Sequence, residues 1–155
     1  MASRGLEGVV VAESELSKIY GDQGRLIYRG YEIEDLAEHT TFEEVCHLLW
    51  HGELPNRKQL EELSGELARN RAVHPDLIEL LRRTPPATHP MAALRTAASA
   101  LASYDPDAED MSPDANQRKA IRITAKLPTL TAAFDRLRNG KDPIPPREDL
   151  PHAAN

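Results

Sequence analysis

Residues 112–140 read SPDANQRKAIRITAKLPTLTAAFDRLRNG, and within them Ala120, Ile123, Leu127, Leu130, Phe134 and Leu137 recur at alternating spacings of three and four. That period is helical and draws one apolar stripe along one face. Ser112 followed by Pro113 supplies a cap and a first helical residue, and Gly140 supplies a stop, so the spacing predicts a single long helix from Pro113 to Asn139. A stripe of that length needs an apolar partner along it. Pro128 falls inside the pattern, where it removes a backbone donor and crowds the preceding turn, so a kink is expected near residues 124–128.

Upstream of the long helix, the same punctuation recurs. Pro90 suits the first position of a helix reaching about Tyr104, with Met91, Leu94, Ala98 and Leu101 at helical spacing and alanines filling most other places. Alanine permits close approach of a neighbouring backbone. Pro75 starts a short helix carrying Leu77, Leu80 and Leu81, which Thr84-Pro85-Pro86-Ala87 cannot continue. Asn56, with Gln59 three residues on, caps a helix bearing Leu60, Leu63 and Leu67 and reaching about Arg71. Thr41 and Glu44 form a capping box before a helix over roughly 42–52, with Gly52 as its stop. Strand signals are confined to the first thirty residues: Val9-Val10-Val11, Leu16 to Tyr20 and Arg25 to Tyr28. The last two, joined by Gly21-Asp22-Gln23-Gly24, read as a small hairpin. After the long helix, Pro143, Pro145, Pro146 and Pro151 make the chain extended. The pattern is all-α with a small N-terminal β-hairpin.

Composition bounds the function. The chain has 155 residues, room for about one ordinary domain, with 40% hydrophobic and 28% charged residues of mixed sign. A formal charge of -6 disfavours nucleic acid, whose phosphates need excess Lys and Arg. The single cysteine, Cys46, excludes an internal disulfide and a cysteine metal cluster, and fits a reducing compartment. No secretory core precedes the first elements and no run of 18 apolar residues occurs, so no membrane partner is expected and the cytoplasm is the expected location.

Residues that could carry chemistry are sparse. Of the histidines at 39, 47, 51, 74, 89 and 152, only His47 and His51 stand four apart on one helix, and the run H-L-L-W-H lacks the glutamate of a zinc-protease helix. Packing or hydrogen bonding is the preferred reading for them, with no metal. His89, directly before Pro90, is placed to cap a helix start. Cys46 sits among Phe42, Val45, Leu49 and Trp50 and reads as a buried, inert thiol. No glycine-rich phosphate loop appears. Arg118, Lys119, Arg122 and Lys126 put positive charge on the long helix, opposite in sign to the acidic run Asp105 to Asp110 just before it; a solvated face or helix–loop salt bridges are the preferred reading, and a phosphate site the alternative.

Several stretches nevertheless resemble one family in order along nearly the whole chain. Arg4-Gly5-Leu6-Glu7-Gly8-Val9-Val10, Leu26 to Ala37 and Thr41-Phe42-Glu43-Glu44-Val45 are similar to the start of citrate synthases. The likeness continues through Leu48 to Pro55, His89 to Thr96 and Ala125-Lys126-Leu127-Pro128, and then Pro145 to Leu150 and His152-Ala153-Ala154-Asn155.

The resemblance implies that residues 1–155 are the N-terminal portion of a citrate synthase large domain, with the small domain and the rest of the large domain absent. It implies condensation of acetyl-CoA with oxaloacetate by the whole enzyme, with no tightly bound cofactor. The family's catalytic aspartate and two histidines lie beyond this sequence, so no catalytic residue is assigned and the chain alone is expected to be inactive. The family is an all-α homodimer, and the helices at 90–104 and 113–139 resemble two of its interface helices. Met91, Leu94, Ala98, Leu101, Ile123, Leu127, Leu130 and Phe134 are accordingly the candidate core or dimer-interface residues. The chain lacks the N-terminal β-rich extension of the NADH-inhibited hexameric branch, implying a dimer of the simpler branch. Two alternatives stand: a part of a 2-methylcitrate synthase, which prefers propionyl-CoA, and an independent helical interaction module.

Overall fold

A computed structural model describes Gly5, Val9, Val10 and residues 12–155, which fall into two compact units, residues 1–60 and 61–155. In the first unit, β1 (Ser17–Tyr20), β2 (Arg25–Tyr28) and β3 (Tyr31–Glu32) form an antiparallel sheet in that order. Ser17 pairs with Tyr28 and Tyr20 with Arg25, so the expected hairpin closes over the Gly21–Gly24 turn. The third strand is an addition. Tyr28 pairs with Tyr31 across a two-residue turn whose members, Arg29 and Gly30, both have positive φ (47° and 92°). That backbone matches the right-handed twist of the flanking strands. Val9 and Val10 stand exposed and outside the sheet, while Val11 lies outside the described residues.

Helix α1 (Ile33–His39) follows, burying Leu36, and α2 (Phe42–His51) begins on the expected capping box. Thr41 Oγ1 accepts the Glu44 N–H at 3.3 Å, and the Glu44 carboxylate accepts the Thr41 N–H at 2.6 Å. Gly52, at φ 86°, ends the helix in a left-handed conformation that favours glycine. Asn56 and Gln59 make a second reciprocal cap, 3.0 and 2.8 Å, at the start of α3 (Arg57–Arg69). This helix stops two residues short of Arg71, and Leu63 and Leu67 form its buried line.

The second unit holds α4 (Pro75–Arg83), α5 (Pro90–Ala100) with a 3-10 turn over Leu101–Tyr104, and α6 (Pro113–Arg138). Their shared core is Leu77 and Leu81 from α4, Ala93 and Ala97 from α5, Leu101, and Leu130, Ala133 and Phe134 from α6. Each leucine buried in full contributes about 1.5–3 kcal/mol relative to exposure. Ser112 Oγ caps α6 by accepting the Ala115 N–H at 3.3 Å, and the helix is continuous through Pro128. Arg71 is fully buried: its guanidinium donates to the Arg147 carbonyl, and its own carbonyl accepts from Thr129 Oγ1 at 2.9 Å. This ties the proline-rich segment after α6 to the start of the unit. A short 3-10 turn over His152–Ala154, with His152 buried, interrupts the extension read from the prolines.

Candidate functional site

The first half of α6 presents Arg118 and Arg122 one turn apart, towards the loop that follows Tyr104. Arg122 grips Asp105 with two bonds, Nε to Oδ2 at 2.8 Å and Nη2 to Oδ1 at 2.6 Å, and also donates to Asp107 at 2.6 Å. Arg118 holds Asp107 in the same forked way at 2.9 and 2.8 Å, and Lys119 Nζ donates to the Asp110 carbonyl at 2.6 Å. These charge-assisted bonds hold the Asp105 and Asp107 carboxyls below the usual carboxylate range. The helix–loop salt bridges expected from the sequence are therefore formed. A phosphate would have to displace two carboxylates from these guanidiniums, which argues against the alternative reading.

Beside this cluster lies a cavity of about 240 Å³ lined by Ala72, His74, Leu77, Leu101, Tyr104, Asp105, Arg122, Ile123 and Lys126. His74 stacks on Tyr104 with ring centroids 4.2 Å apart, and the Tyr104 hydroxyl donates to Asp76 at 3.0 Å. That bond raises the Tyr104 phenol above its ordinary value. Lys126 is half-buried, and desolvation, with the Arg122 charge adding to it, lowers its ammonium below the usual lysine range.

A second cavity, about 280 Å³, lies between α5 and the second half of α6, lined by Pro90, Met91, Leu94, Leu130, Thr131, Phe134, Asp135 and Arg138. Of the eight candidates read from the sequence, Leu101, Leu130 and Phe134 are buried within the chain, and Leu94, Ala98 and Leu127 are partly buried. Met91 and Ile123 are exposed, at 64% and 43%. The buried line of α5 is Ala93, Ala97 and Leu101, rotated from the line the spacing suggested.

The histidines do local work. His89 Nδ1 accepts the Met91 N–H at 3.2 Å, the cap expected of it, and His74 Nδ1 does the same for Asp76 at 3.3 Å. The repeated His-Pro dipeptide was the available signal for the second cap. His47 and His51 lie 4.4 Å apart, centroid to centroid, with His47 Nδ1 bonded to the Glu53 carbonyl at 2.9 Å. Among the described residues, no group of three His, Cys, Asp or Glu could hold a metal ion. Cys46 is buried and its thiol is pushed up to about 11, first by desolvation and then by Glu43, while Phe42 on the same helix is half exposed.

This arrangement defines a helical scaffold with one charged and one apolar cavity among the described residues. The citrate synthase family model, described as its C-terminal domain, matches residues 5–155. "Citrate synthase 2" of Bacillus subtilis (strain 168) is 52% identical over 155 residues, covering 99% of this chain and 41% of that protein. A "2-methylcitrate synthase" of Mycobacterium tuberculosis is 42% identical over 152 residues, covering 98% and 38%. The crystal structure of citrate synthase from Pyrobaculum aerophilum superposes with a TM-score of 0.87 at 36% identity, covering 97% of this chain and 40% of that one. The chain belongs to the citrate synthase family, and it spans about two-fifths of the length of the relatives it matches. Its described helices include none long and apolar enough to cross a membrane.

Proposed function

We propose that this chain is the N-terminal part of the large domain of an enzyme that condenses acetyl-CoA with oxaloacetate to give citrate and CoA, the first step of the tricarboxylic acid cycle. The observation that carries this is the 52% identity with the Bacillus subtilis citrate synthase, sustained over the full 155 residues rather than at one motif. In this reading the chain supplies scaffold, and α5 and α6 supply helices of a homodimer interface in a cytoplasmic enzyme. The exposed Met91 and Ile123 and the apolar cavity beside Phe134 support that placement, because such surface is most stable when covered. Proton abstraction from the acetyl methyl and polarisation of the oxaloacetate carbonyl need positioned acids and bases that come from outside this stretch.

The test is a chimera. Replacing the matching two-fifths of the Bacillus subtilis enzyme by this chain should give a dimer that releases CoA from acetyl-CoA only when oxaloacetate is present, whereas the chain alone should release none. A soluble but inactive chimera, or oxaloacetate-dependent release by the chain alone, would overturn the reading. The 42% identity with a 2-methylcitrate synthase keeps propionyl-CoA as the second acyl donor to assay.

A further inference from the structure

Five lysines occur in the chain: Lys18, Lys58, Lys119, Lys126 and Lys141. Lys119 is spent on the Asp110 carbonyl, and Lys18 lies over the Tyr20 ring at 4.9 Å. Lys126 is placed differently. It comes one turn after Arg122 on α6 and lines the 240 Å³ cavity, whose other polar members are His74, Tyr104, Asp105 and Arg122. The carboxylate in that wall, Asp105, is held by two bonds from Arg122, so its charge offsets that of Lys126 only in part, and burial with the Arg122 charge outweighs it. The side chain is half-buried, reachable through the cavity and partly stripped of water.

We propose that Lys126 is an acylation site, the lysine of this chain that small acyl thioesters modify first. The proposal draws on the proposed function only for the source of the thioester. The lowered ammonium leaves more of the amine in its nucleophilic form near neutral pH. The ammonium gives one proton to water, and the amine nitrogen attacks the thioester carbonyl carbon. A C–N bond forms, the C–S bond breaks with its electron pair going to sulfur, and the surplus proton on nitrogen passes to the thiolate. An amide and a free thiol result, with no change in oxidation state. The product is neutral, so one positive charge leaves the wall that Arg122 and Asp105 share.

The experiment incubates the full chain with acetyl-CoA and, in parallel, with S-acetyl-N-acetylcysteamine, which lacks the nucleotide. Adducts are mapped by peptide mass spectrometry at low conversion. Lys126 should carry more than half of the lysine-bound acetyl with both donors, and its share should fall towards that of the other four lysines when the chain is unfolded in urea. Lys126→Arg, which keeps the charge and cannot form the amide, should remove the dominant adduct while leaving the circular dichroism unchanged. An even spread over the five lysines, preference for another lysine, or a share that urea does not alter would overturn the proposal. These outcomes leave the chimera result untouched, so the two readings fail separately.

Discussion

Replacing Phe134 by Ala is the sharpest probe of the α4–α5–α6 core. The ring is 4% exposed and packs in one cluster with Leu130, Ala133, Ala93 and Ala97. A buried Phe→Ala change costs about 3–5 kcal/mol through lost transfer free energy and the cavity left behind. One flank of the ring already borders the 280 Å³ cavity, so fewer contacts are lost there and the lower end, about 3 kcal/mol, is expected. The Arg138 guanidinium, 5.8 Å from the ring centroid, adds about 0.5 kcal/mol that the variant also loses. Together these losses, about 3.5 kcal/mol, lower Tm by about 7–14 °C for a chain of this size. Thermal and urea unfolding followed by far-ultraviolet circular dichroism measures it, with Ile144→Ala, at a side chain 66% exposed, as the surface control expected within about 0.5 kcal/mol of the parent. A Tm drop below about 2 °C, or one equal to the control's, would refute the packing argument.

Thr41→Ala removes the hydroxyl that accepts the Glu44 N–H and donates to the Glu44 carboxylate, leaves the bond from the residue 41 backbone N–H to Glu44 in place, and should cost about 1 kcal/mol in a urea melt. Asp105 and Asp107 are held below their ordinary values, so their ion pairs add stability that is present above about pH 4 and is lost as pH falls through the lowered folded values; Asp107→Asn should flatten that acid limb, and an unchanged slope would contradict it. Cys46, with its thiol near 11, should react with a disulfide reagent at pH 8 far more slowly in the folded chain than in urea, and equal rates would show the site to be open. The chain by itself should sediment as an associated species, since Met91 and the neighbouring cavity wall stay uncovered; a compact monomer that melts cooperatively would point to the independent-module reading.

Helix boundaries were legible because the caps that set them are local. Thr41 with Glu44, Asn56 with Gln59, and Ser112 before Pro113 each complete their bonds within three residues, so the sequence carries the whole interaction. The buried face of α5 was not legible for the opposite reason. Met91, Ala92, Ala93, Leu94, Ala97, Ala98 and Ala100 surround nearly the whole helix, and only the neighbouring helices decide that Ala93 and Ala97 turn inward. Strand β3 has two residues, too few for any alternation to register. Arg71 read as the polar end of a helix, whereas its partner is the carbonyl of Arg147, far along the chain. At the candidate site, opposite charges on α6 and the acidic loop announced the ion pairs. The cavity beside them depends on how Leu77, Leu101 and Tyr104 are brought together in space, which no local pattern encodes.

The core of residues 75–138 is assembled from helices that are neighbours in sequence, α4 against α5 and both against α6, joined by short connections. Closing such short loops costs little chain entropy, and topologies of this kind form in microseconds to milliseconds. Synthesis delivers residues at about 5–20 per second. The three helices therefore have time to find one another while a ribosome is still extending the same polypeptide, and whatever is made next meets a surface already in shape.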